Sequence, residues 1–285
     1  MIPQKIVLPA FWRALSFKLD ENIGFHGKAD SMTEPMFIIV GEQRSGTTAL
    51  GNYLDSHPDI SVHPEIFLNF PTQYENYFPF FGKLVIEDIQ NAYPQFFIIR
   101  RNLNRYFDYL RDKSGASRHG FHLKYDQLSY IPELFKHLSD LDVKCIHIVR
   151  RNLLDIAISQ LSLKIREENK LSAHTGVNDS ERSIKVNIEN VAALSAHITR
   201  IRTNISENRK IFSRLKHYTE VYYDDIFADG DQLSLANVQK FIGVIPQTLT
   251  TSIRKSLPSK SHDSVSNPEI LDKYLSVTNI SEYLL

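Results

Sequence analysis

The feature that most constrains this chain is an apolar run that ends in a glycine-bounded polar loop. Phe37–Val40 is typical of a buried strand, and the loop that follows runs from Gly41 to Gly46. A helical pattern starts directly after the second glycine. This order of strand, loop and helix suits a phosphate, because loop N–H groups converge on one point and the helix dipole favours negative charge there. The segment therefore predicts a phosphate-binding loop.

The residue types in the loop argue against the usual nucleoside-triphosphate site. Gly41 and Gly46 have the spacing of a Walker A loop, but Thr47 stands where that loop has its lysine. The Walker lysine acts on the β- and γ-phosphates in a site that also holds Mg²⁺. Here the cation, Arg44, lies inside the loop. We therefore expect an adenine nucleotide whose end group is bound without the lysine and Mg²⁺.

The loop resembles the 5′-phosphosulfate loop of sulfotransferases, the enzymes that use 3′-phosphoadenosine-5′-phosphosulfate (PAPS). Their loop reads roughly Pro-Arg/Lys-Ser-Gly-Thr-Thr, and this chain has Gln43 where that proline is common. The departure affects the stiffness of the loop more than its chemistry. The resemblance implies that Arg44 stabilises charge on the leaving phosphate oxygen. It also implies that the 5′-phosphate is held by the loop amides and by Ser45, Gly46, Thr47 and Thr48.

A second phosphate site is predicted farther along the chain. Cys145–Val149 reads as a buried strand, Arg150 and Arg151 stand at its carboxyl end, and a helical pattern follows. Ligands of open α/β sheets bind at the carboxyl ends of strands. Sulfotransferases bind the 3′-phosphate with an arginine at such a strand end and a serine eight residues later, and Arg151 and Ser159 have this spacing. The alternative is a surface arginine and a helical serine that bind no ligand.

Ile98–Leu103 looks like a copy of this second site. However, apolar residues recur around it at intervals of three and four, and Pro94 suits the first turn of a helix. No serine follows Arg101 at the distance that separates Arg151 from Ser159. We therefore predict an amphipathic helix with solvated arginines here.

The chemistry that the resemblance implies needs a base, since an acceptor hydroxyl must lose its proton as it attacks sulfur. Glu65 lies twenty-one residues after Arg44, which agrees with the tyrosylprotein sulfotransferases, and it is our candidate for the base. A solvated loop acid is the competing interpretation. His63 is the alternative base and His174 a more distant one. His57 is expected to end the preceding helix, where a cation is favoured.

Two later segments resemble parts of the nucleotide pocket. Tyr223 occupies the tyrosine of the family's Tyr-Glu-Asp-Leu segment, where it would contact adenine; the alternative is a core aromatic. Ser259–His262 resembles the C-terminal loop that closes over PAPS. The resemblance implies that Lys260 completes the phosphate pocket, and the alternative is a solvated tail.

Gly120–Leu128 narrows the branch of the family. It is similar to a stretch found in bacterial carbohydrate sulfotransferases of the nodulation-factor and trehalose types. The resemblance implies transfer of a sulfuryl group to a hydroxyl of a carbohydrate or glycolipid, with adenosine 3′,5′-bisphosphate as product and no metal. A kinase with a degenerate phosphate loop and a non-catalytic nucleotide-binding relative are the rival hypotheses. The acceptor itself and the oligomeric state stay open.

The composition of the chain narrows the partners and the location that can be expected for the protein. The 285 residues carry 33 basic and 33 acidic side chains, so no broad nucleic-acid affinity is expected. The single cysteine, Cys145, excludes an intrachain disulfide. No apolar run has the length of a membrane span and no signal peptide is evident, so we expect a cytoplasmic protein. The apolar segment Ile6–Trp12 is expected to pack on the domain, with contact to a membrane surface as the alternative.

Alternating strand-like and helical segments predict an α/β fold in three layers. We expect one P-loop-like domain over residues 1–285, with a core at 36–275 and an extension at 1–35 packed on it. Its central sheet should be mainly parallel and flanked by helices. Strands are expected at Met36–Val40, Lys83–Glu87, Phe121–Lys124, Lys144–Val149 and Tyr218–Tyr222. Helices are expected at Gly46–Ser56, Asp126–Ser139, Asn152–Asn169 and Glu181–Asn208.

Overall fold

A sheet of parallel strands organises the molecule. The computed structural model describes residues 36–68, 76–169, 185–227, 232–251, 261–279 and 283–285. The strands are β1 (Met36–Gly41), β2 (Ile60–His63), β3 (Arg118–Lys124), β4 (Lys144–Val149) and β5 (His217–Tyr222). Their spatial order is β2-β3-β1-β4-β5, and every neighbouring pair is parallel. The predicted α/β class with a mainly parallel sheet is confirmed.

The two central strands form because their residues can be buried on both faces. All six residues of β1 are buried, and in β4 only Lys144 is partly exposed. Parallel sheets that are covered by helices on both sides need such continuous apolar runs. The chain passes from one side of β1 to the other between β3 and β4. In open α/β sheets, this point of reversal is where ligands bind, at the carboxyl ends of the strands.

Helices cover both faces of the sheet. They are α1 (Thr47–Asp55), α2 (Tyr77–Glu87), α3 (Phe96–Ser114), α4 (Glu133–Asp140), α5 (Leu153–Glu168), α6 (Val191–Phe212), α7 (Tyr223–Phe227), α8 (Gln232–Ile242) and α9 (Pro268–Val277). One face packs on α1, α7 and α8, and the other on α3, α4 and the end of α6. A third apolar cluster joins α5, α6 and α9 to Val149, at the carboxyl end of β4. The expected layers of helix, sheet and helix are present.

Two parts of the predicted strand pattern are wrong. Lys83–Glu87 lies in α2, because Asn76 caps that helix by accepting from the backbone N of Phe78 at 3.0 Å and Leu84 packs into the core. The edge strand Ile60–His63 has no counterpart among the predicted strands. It is short, and only its first residue is fully buried, so it lacks the apolar run that marks a strand in sequence.

The helix predictions hold with altered ends. The segment Asp126–Ser139 divides into a 3₁₀ turn, Tyr125–Ser129, and the helix α4. Pro132 explains the break, because a proline disfavours helical backbone in the residue before it. The helix predicted at Glu181–Asn208 is α6, which begins after Asn190, whose side chain accepts from the backbone N of Ala193.

Several sequence predictions fall on residues outside the described ranges. These are the extension at 1–35 with its apolar segment, the distant base candidate His174, and the loop residue Lys260. Among the helices that the structure does describe, none has the length and apolar character needed to cross a membrane.

Candidate functional site

The loop between β1 and α1 has the backbone shape of an anion site. Arg44 and Gly46 both have positive φ, at 72° and 101°. The backbone N of Ser45 donates to the carbonyl of Glu42 at 3.0 Å and closes the turn. Left-handed residues in a tight turn direct successive N–H groups to one side, which creates a concavity for anions. The N-terminus of α1 adds its dipole beside that concavity.

Close packing requires both loop glycines. A Cβ atom on Gly41 would lie 2.8 Å from the carbonyl oxygen of Ile148, and one on Gly46 would lie 2.5 Å from the ring of Tyr223. Gly46 also has the left-handed backbone that glycine adopts at no steric cost. The loop is therefore held tightly between β4 and the start of α7.

The side chain of Ser45 lacks a partner in the part of the chain that the structure describes. It is fully buried, and its hydroxyl makes no hydrogen bond there. Such groups are rare, and each costs about 1–3 kcal/mol. A phosphate oxygen in the loop would supply the missing acceptor. Ser45 thus fits the predicted anion site.

Gln160 of α5 holds the loop from the side. Its amide nitrogen donates to Glu42 Oε1 at 2.9 Å and to the carbonyl oxygen of Gln43 at 3.0 Å. Burial raises the pKa of Glu42, and the hydrogen bond from Gln160 partly offsets that rise. These bonds restrain the loop at Glu42 and Gln43.

Arg44 joins the loop to α5. Its Nε donates to Ser159 Oγ at 2.9 Å, so the fold brings together two residues that the sequence assigned to donor binding. Burial lowers the pKa of Arg44, and the positive charges of Arg166 and Arg150 lower it further. Arginine keeps its proton in proteins. Three guanidinium groups therefore place positive charge in one pocket, which suits a ligand with several negative charges.

The two arginines that follow β4 lie in different environments. Arg150 is buried, pairs with Asp155, and lies 4.7 Å from the ring centroid of Tyr223. The side chain of Arg151 is 38% exposed and makes two bonds to Asp225, at 2.5 and 2.9 Å. Arg150 was not among the residues predicted to bind the donor, because the spacing to Ser159 pointed to Arg151. The role expected of Arg151 in binding the 3′-phosphate stays a prediction.

Tyr223 forms a wall of the phosphate loop. Its ring lies against Gly46, below the guanidinium of Arg150, and its centroid is 4.5 Å from that of Phe227. Burial raises the pKa of its phenol. The residue is a packed aromatic at the edge of the anion site, and its contact with adenine stays a prediction.

Lys124 connects the phosphate loop to the candidate base. It is the last residue of β3, and its Nζ donates to Thr47 Oγ1 at 2.8 Å and lies 3.3 Å from Glu65 Oε1. Both side chains of this ion pair are mostly buried. Lys124 was not among the predicted site residues. Its position at the end of the predicted strand Phe121–Lys124 was visible in the sequence, but the pairing of that strand with β1 was not.

His63 stands two residues before Glu65 but faces other neighbours. Its ring stacks on that of His119 at a centroid distance of 6.5 Å and lines a cavity of about 20 Å³ beside Phe107. Glu65 instead contacts the site through Lys124. The geometry favours Glu65 over His63, and both base assignments stay predictions.

His57 does not act as the cation expected at the end of α1. It is buried, its Nδ1 accepts from the backbone N of Asp59 at 3.0 Å, and its Nε2 lies 3.0 Å from the carbonyl oxygen of Ile245. A ring that accepts at one nitrogen and donates at the other is neutral. His57 therefore ties α1 to the segment after α8.

The fold and this site together define a class of protein: an α/β protein with a P-loop-like turn between a central strand and a helix, next to a lysine–glutamate ion pair. The chain belongs to the sulfotransferase family, whose family model matches residues 35–245. Among curated proteins, none matches the chain significantly.

Solved structures with a similar fold include three sulfotransferases. The sulfotransferase from Alicyclobacillus acidocaldarius is 19% identical, with 85% of this chain and 92% of that chain covered and a TM-score of 0.44. The sulfotransferase domain from the curacin biosynthetic pathway is 16% identical, with coverages of 86% and 92% and a TM-score of 0.46. Mouse sulfotransferase SULT7A1, solved in complex with PAP, is 14% identical, with coverages of 88% and 70% and a TM-score of 0.40.

Proposed function

We propose that this sulfotransferase moves the sulfuryl group of PAPS to a hydroxyl of a carbohydrate or glycolipid and releases adenosine 3′,5′-bisphosphate (PAP). The observation that carries the proposal is the contact between Arg44 and Ser159. It joins the phosphate loop and α5 in one cationic pocket, beside which Arg150 and Arg166 add positive charge. A donor with phosphate groups at two ends needs two anion sites of this kind close together.

The 5′ end of the donor is assigned to the loop. Its backbone amides, together with Ser45, Gly46, Thr47 and Thr48, are the proposed ligands of the 5′-phosphate. The buried hydroxyl of Ser45 and the nearby N-terminus of α1 support this assignment.

The 3′-phosphate is assigned to Ser159 and Arg151, with Arg150 as a buried neighbour of the same pocket. Arg151 is paired with Asp225 at the surface. Exposed ion pairs contribute only about 0–1 kcal/mol, so exchange of Asp225 for a dianionic phosphate is energetically accessible. Tyr223 is placed against adenine in the same proposal, and Lys260 against the phosphate.

The chemical step follows from the residues around Thr47. Glu65 accepts the proton of the acceptor hydroxyl while the oxygen of that hydroxyl forms a bond to sulfur. The bond between sulfur and the bridging oxygen of the 5′-phosphate breaks, and that oxygen keeps the electron pair. Arg44 and Lys124 stabilise the negative charge that develops on it. Lys124 also holds the Glu65 carboxylate next to the loop.

The acceptor class rests on the sequence of Gly120–Leu128, which forms most of β3 and the turn after it. A cytoplasmic location, a single domain and a peripheral membrane contact belong to the same proposal. They rest on sequence patterns alone.

The test is transfer from sulfur-labelled PAPS to a panel of sugars and glycolipids. Arg44→Ala should lower turnover about 10²–10³-fold, because it removes a group aimed at charge in the transition state. Glu65→Gln should abolish transfer while PAP affinity stays at the wild-type value. Asp59→Asn, an exposed acid near the same strand, is the control and should leave both unchanged. Wild-type turnover in Arg44→Ala, or Mg²⁺-dependent phosphoryl transfer from ATP in place of sulfuryl transfer, would overturn the proposal.

A further inference from the structure

A chain of hydrogen bonds crosses the sheet beneath the candidate site. The Tyr125 hydroxyl lies 2.6 Å from His147 Nε2, and His147 Nδ1 lies 2.7 Å from the Tyr218 hydroxyl. The Tyr218 hydroxyl lies 3.1 Å from Glu220 Oε2, and Arg209 donates to both oxygens of Glu220 at 2.6 and 3.0 Å. The chain thus links the turn after β3 with β4, β5 and α6.

The bonding partners allow one direction of donation along this chain. Burial would raise the pKa of Glu220, but bonds from Arg209 and Tyr222 bring it below its usual range. An ionised carboxylate only accepts, so Tyr218 donates to Glu220 and accepts from His147 Nδ1–H. Burial lowers the pKa of His147 to about 4, which keeps the ring neutral. His147 Nε2 therefore accepts from the hydroxyl of Tyr125.

Tyr125 directly follows Lys124, and the two side chains go to different layers. Lys124 reaches Thr47 at the start of α1, whereas Tyr125 reaches His147 and packs near Phe212 of α6 at a centroid distance of 6.3 Å. The Lys124 ammonium is held by Thr47 and Glu65, and its stem starts from the backbone next to the residue that bonds His147. Fully satisfied buried networks rigidify the segments that carry them.

We propose that the bond from Tyr125 to His147 positions Lys124, so that its ammonium meets the 5′-phosphate of a bound nucleotide at the phosphate loop. Tyr125 and His147 are positioning residues that act through Lys124. The inference rests on the proposed function, which supplies the phosphate. It assigns a role to a partly buried Tyr–His–Tyr chain that the transfer chemistry itself does not use.

The test is a double-mutant cycle on PAP affinity, measured by calorimetry. Lys124→Met should weaken PAP binding about tenfold, the effect of losing a charge-assisted bond to phosphate. Tyr125→Phe keeps the ring and removes only the hydroxyl, and should weaken binding about threefold. The double variant should bind no more weakly than Lys124→Met. Tyr130→Phe, just after the same turn, is the control and should match wild type.

The cycle separates positioning from general weakening of the fold. If the losses from Lys124→Met and Tyr125→Phe add in the double variant, Tyr125 does not act through Lys124 and the inference is wrong. Wild-type affinity in Tyr125→Phe would also overturn it. His147→Gln, which retains an acceptor for Tyr125, should bind PAP more tightly than His147→Leu; equal affinities would contradict the inference. A wild-type protein that does not bind PAP would remove the proposed function and the inference together.

Discussion

The letters Arg-Arg-Asn-Leu occur twice in this chain, at Arg100–Leu103 and at Arg150–Leu153, with different outcomes. The first copy lies inside α3, and the second spans the end of β4 and the start of α5. In both copies the leucine is fully buried. Packing of the apolar residue is therefore common to the two regions, and the polar residues distinguish them.

In the first copy, the polar side chains serve helix packing. Arg100 pairs with Asp140 of α4 at 3.1 Å, and Arg101 donates to Asn91 Oδ1 at 2.8 Å. Asn102 is buried and donates to the carbonyl oxygen of Asn91 at 2.9 Å. These bonds join α3 to α4 and to the segment before α3, so the polar residues of this copy stabilise the packing of helices.

In the second copy, the same letters stand at a strand end. Asn152 caps α5 by accepting from the backbone N of Asp155 at 3.1 Å. Arg150 lies near Arg44 of the phosphate loop, whose pKa is lowered by burial and then by the positive charges of Arg166 and Arg150. The comparison teaches that the same four residues lie inside a helix in one place and at the carboxyl edge of the sheet in another, and ligands of open α/β sheets bind at that edge.

The largest expected difference between the copies concerns their first arginines. Arg150→Gln should weaken PAP binding by about 2 kcal/mol or more, roughly 30-fold, because it removes a desolvated cation from the pocket. Arg100→Gln should leave PAP affinity at the wild-type value. Calorimetry on both variants, after circular dichroism has shown that each is folded, decides the matter. Equal PAP affinities of Arg150→Gln and Arg100→Gln would show that the two copies do not differ in nucleotide binding.

A second difference concerns the residue eight positions after the second arginine. This residue is Ser159 in the strand-end copy and Tyr109 in the helical copy. Ser159→Ala should reduce PAP affinity about tenfold, since a hydrogen bond to a charged group contributes about 1.5–3 kcal/mol. Tyr109→Phe removes a hydroxyl from the helical copy and should change nothing in PAP titrations. A similar response of both variants would show that Ser159 does not touch the nucleotide.

Substitutions of the two asparagines, Asn152 and Asn102, should give smaller effects, and these should be effects on the free energy of unfolding. Asn152→Ala loses a helix cap and Asn102→Ala loses a buried bond, so each should lower the free energy of unfolding by about 1 kcal/mol. Urea denaturation measures both. Only Asn152→Ala should also weaken PAP binding, because it loosens the start of the helix that carries Ser159. Loss of PAP affinity in Asn102→Ala would show that the helical copy is coupled to the site.

The smallest expected effect is a change in how the stability of the fold depends on pH. His137 of α4 is buried beside the first copy, and burial, followed by the charge of Arg100, lowers its pKa to about 4. The unfolded chain takes up this proton below about pH 6.5, so stability is complete above that pH and is lost progressively as the pH falls toward 4. Arg100→Gln should raise the pKa of folded His137 and so reduce the loss by about 0.5 kcal/mol, a difference that develops between about pH 5 and pH 3, as the pH falls through the folded pKa. In Arg150→Gln the loss should equal that of wild type; a shallower profile there would contradict the assignment.

The parts of the site that are contiguous in sequence could be predicted from local residue patterns. The loop from Gly41 to Gly46, the strand β4 and the helix α5 were predictable, because each combines an apolar period with a distinct boundary. The segment Lys83–Glu87 was mispredicted, because a run of apolar residues inside a helix looks like a short strand. A single sequence does not show which face of such a segment packs against the core.

The pairings across the sheet could not be predicted. The contacts of Lys124 with Thr47 and Glu65 join residues that are distant in the chain, and they depend on the spatial order of the strands. The inward turn of Arg150 likewise depends on Asp155 and on Tyr223, which a later segment brings to the site. Such contacts follow from topology, which the local pattern of residues does not encode.

The most direct test of the account is calorimetric binding of PAP against 5′-AMP, for wild type, Arg151→Ala and the matched helical variant Arg101→Ala. We predict that wild type and Arg101→Ala prefer PAP by about tenfold or more, as a charge-assisted phosphate contact allows, and that Arg151→Ala loses this preference. Equal binding of PAP and 5′-AMP by the wild-type protein would contradict the central claim that the strand-end copy recognises a 3′-phosphate.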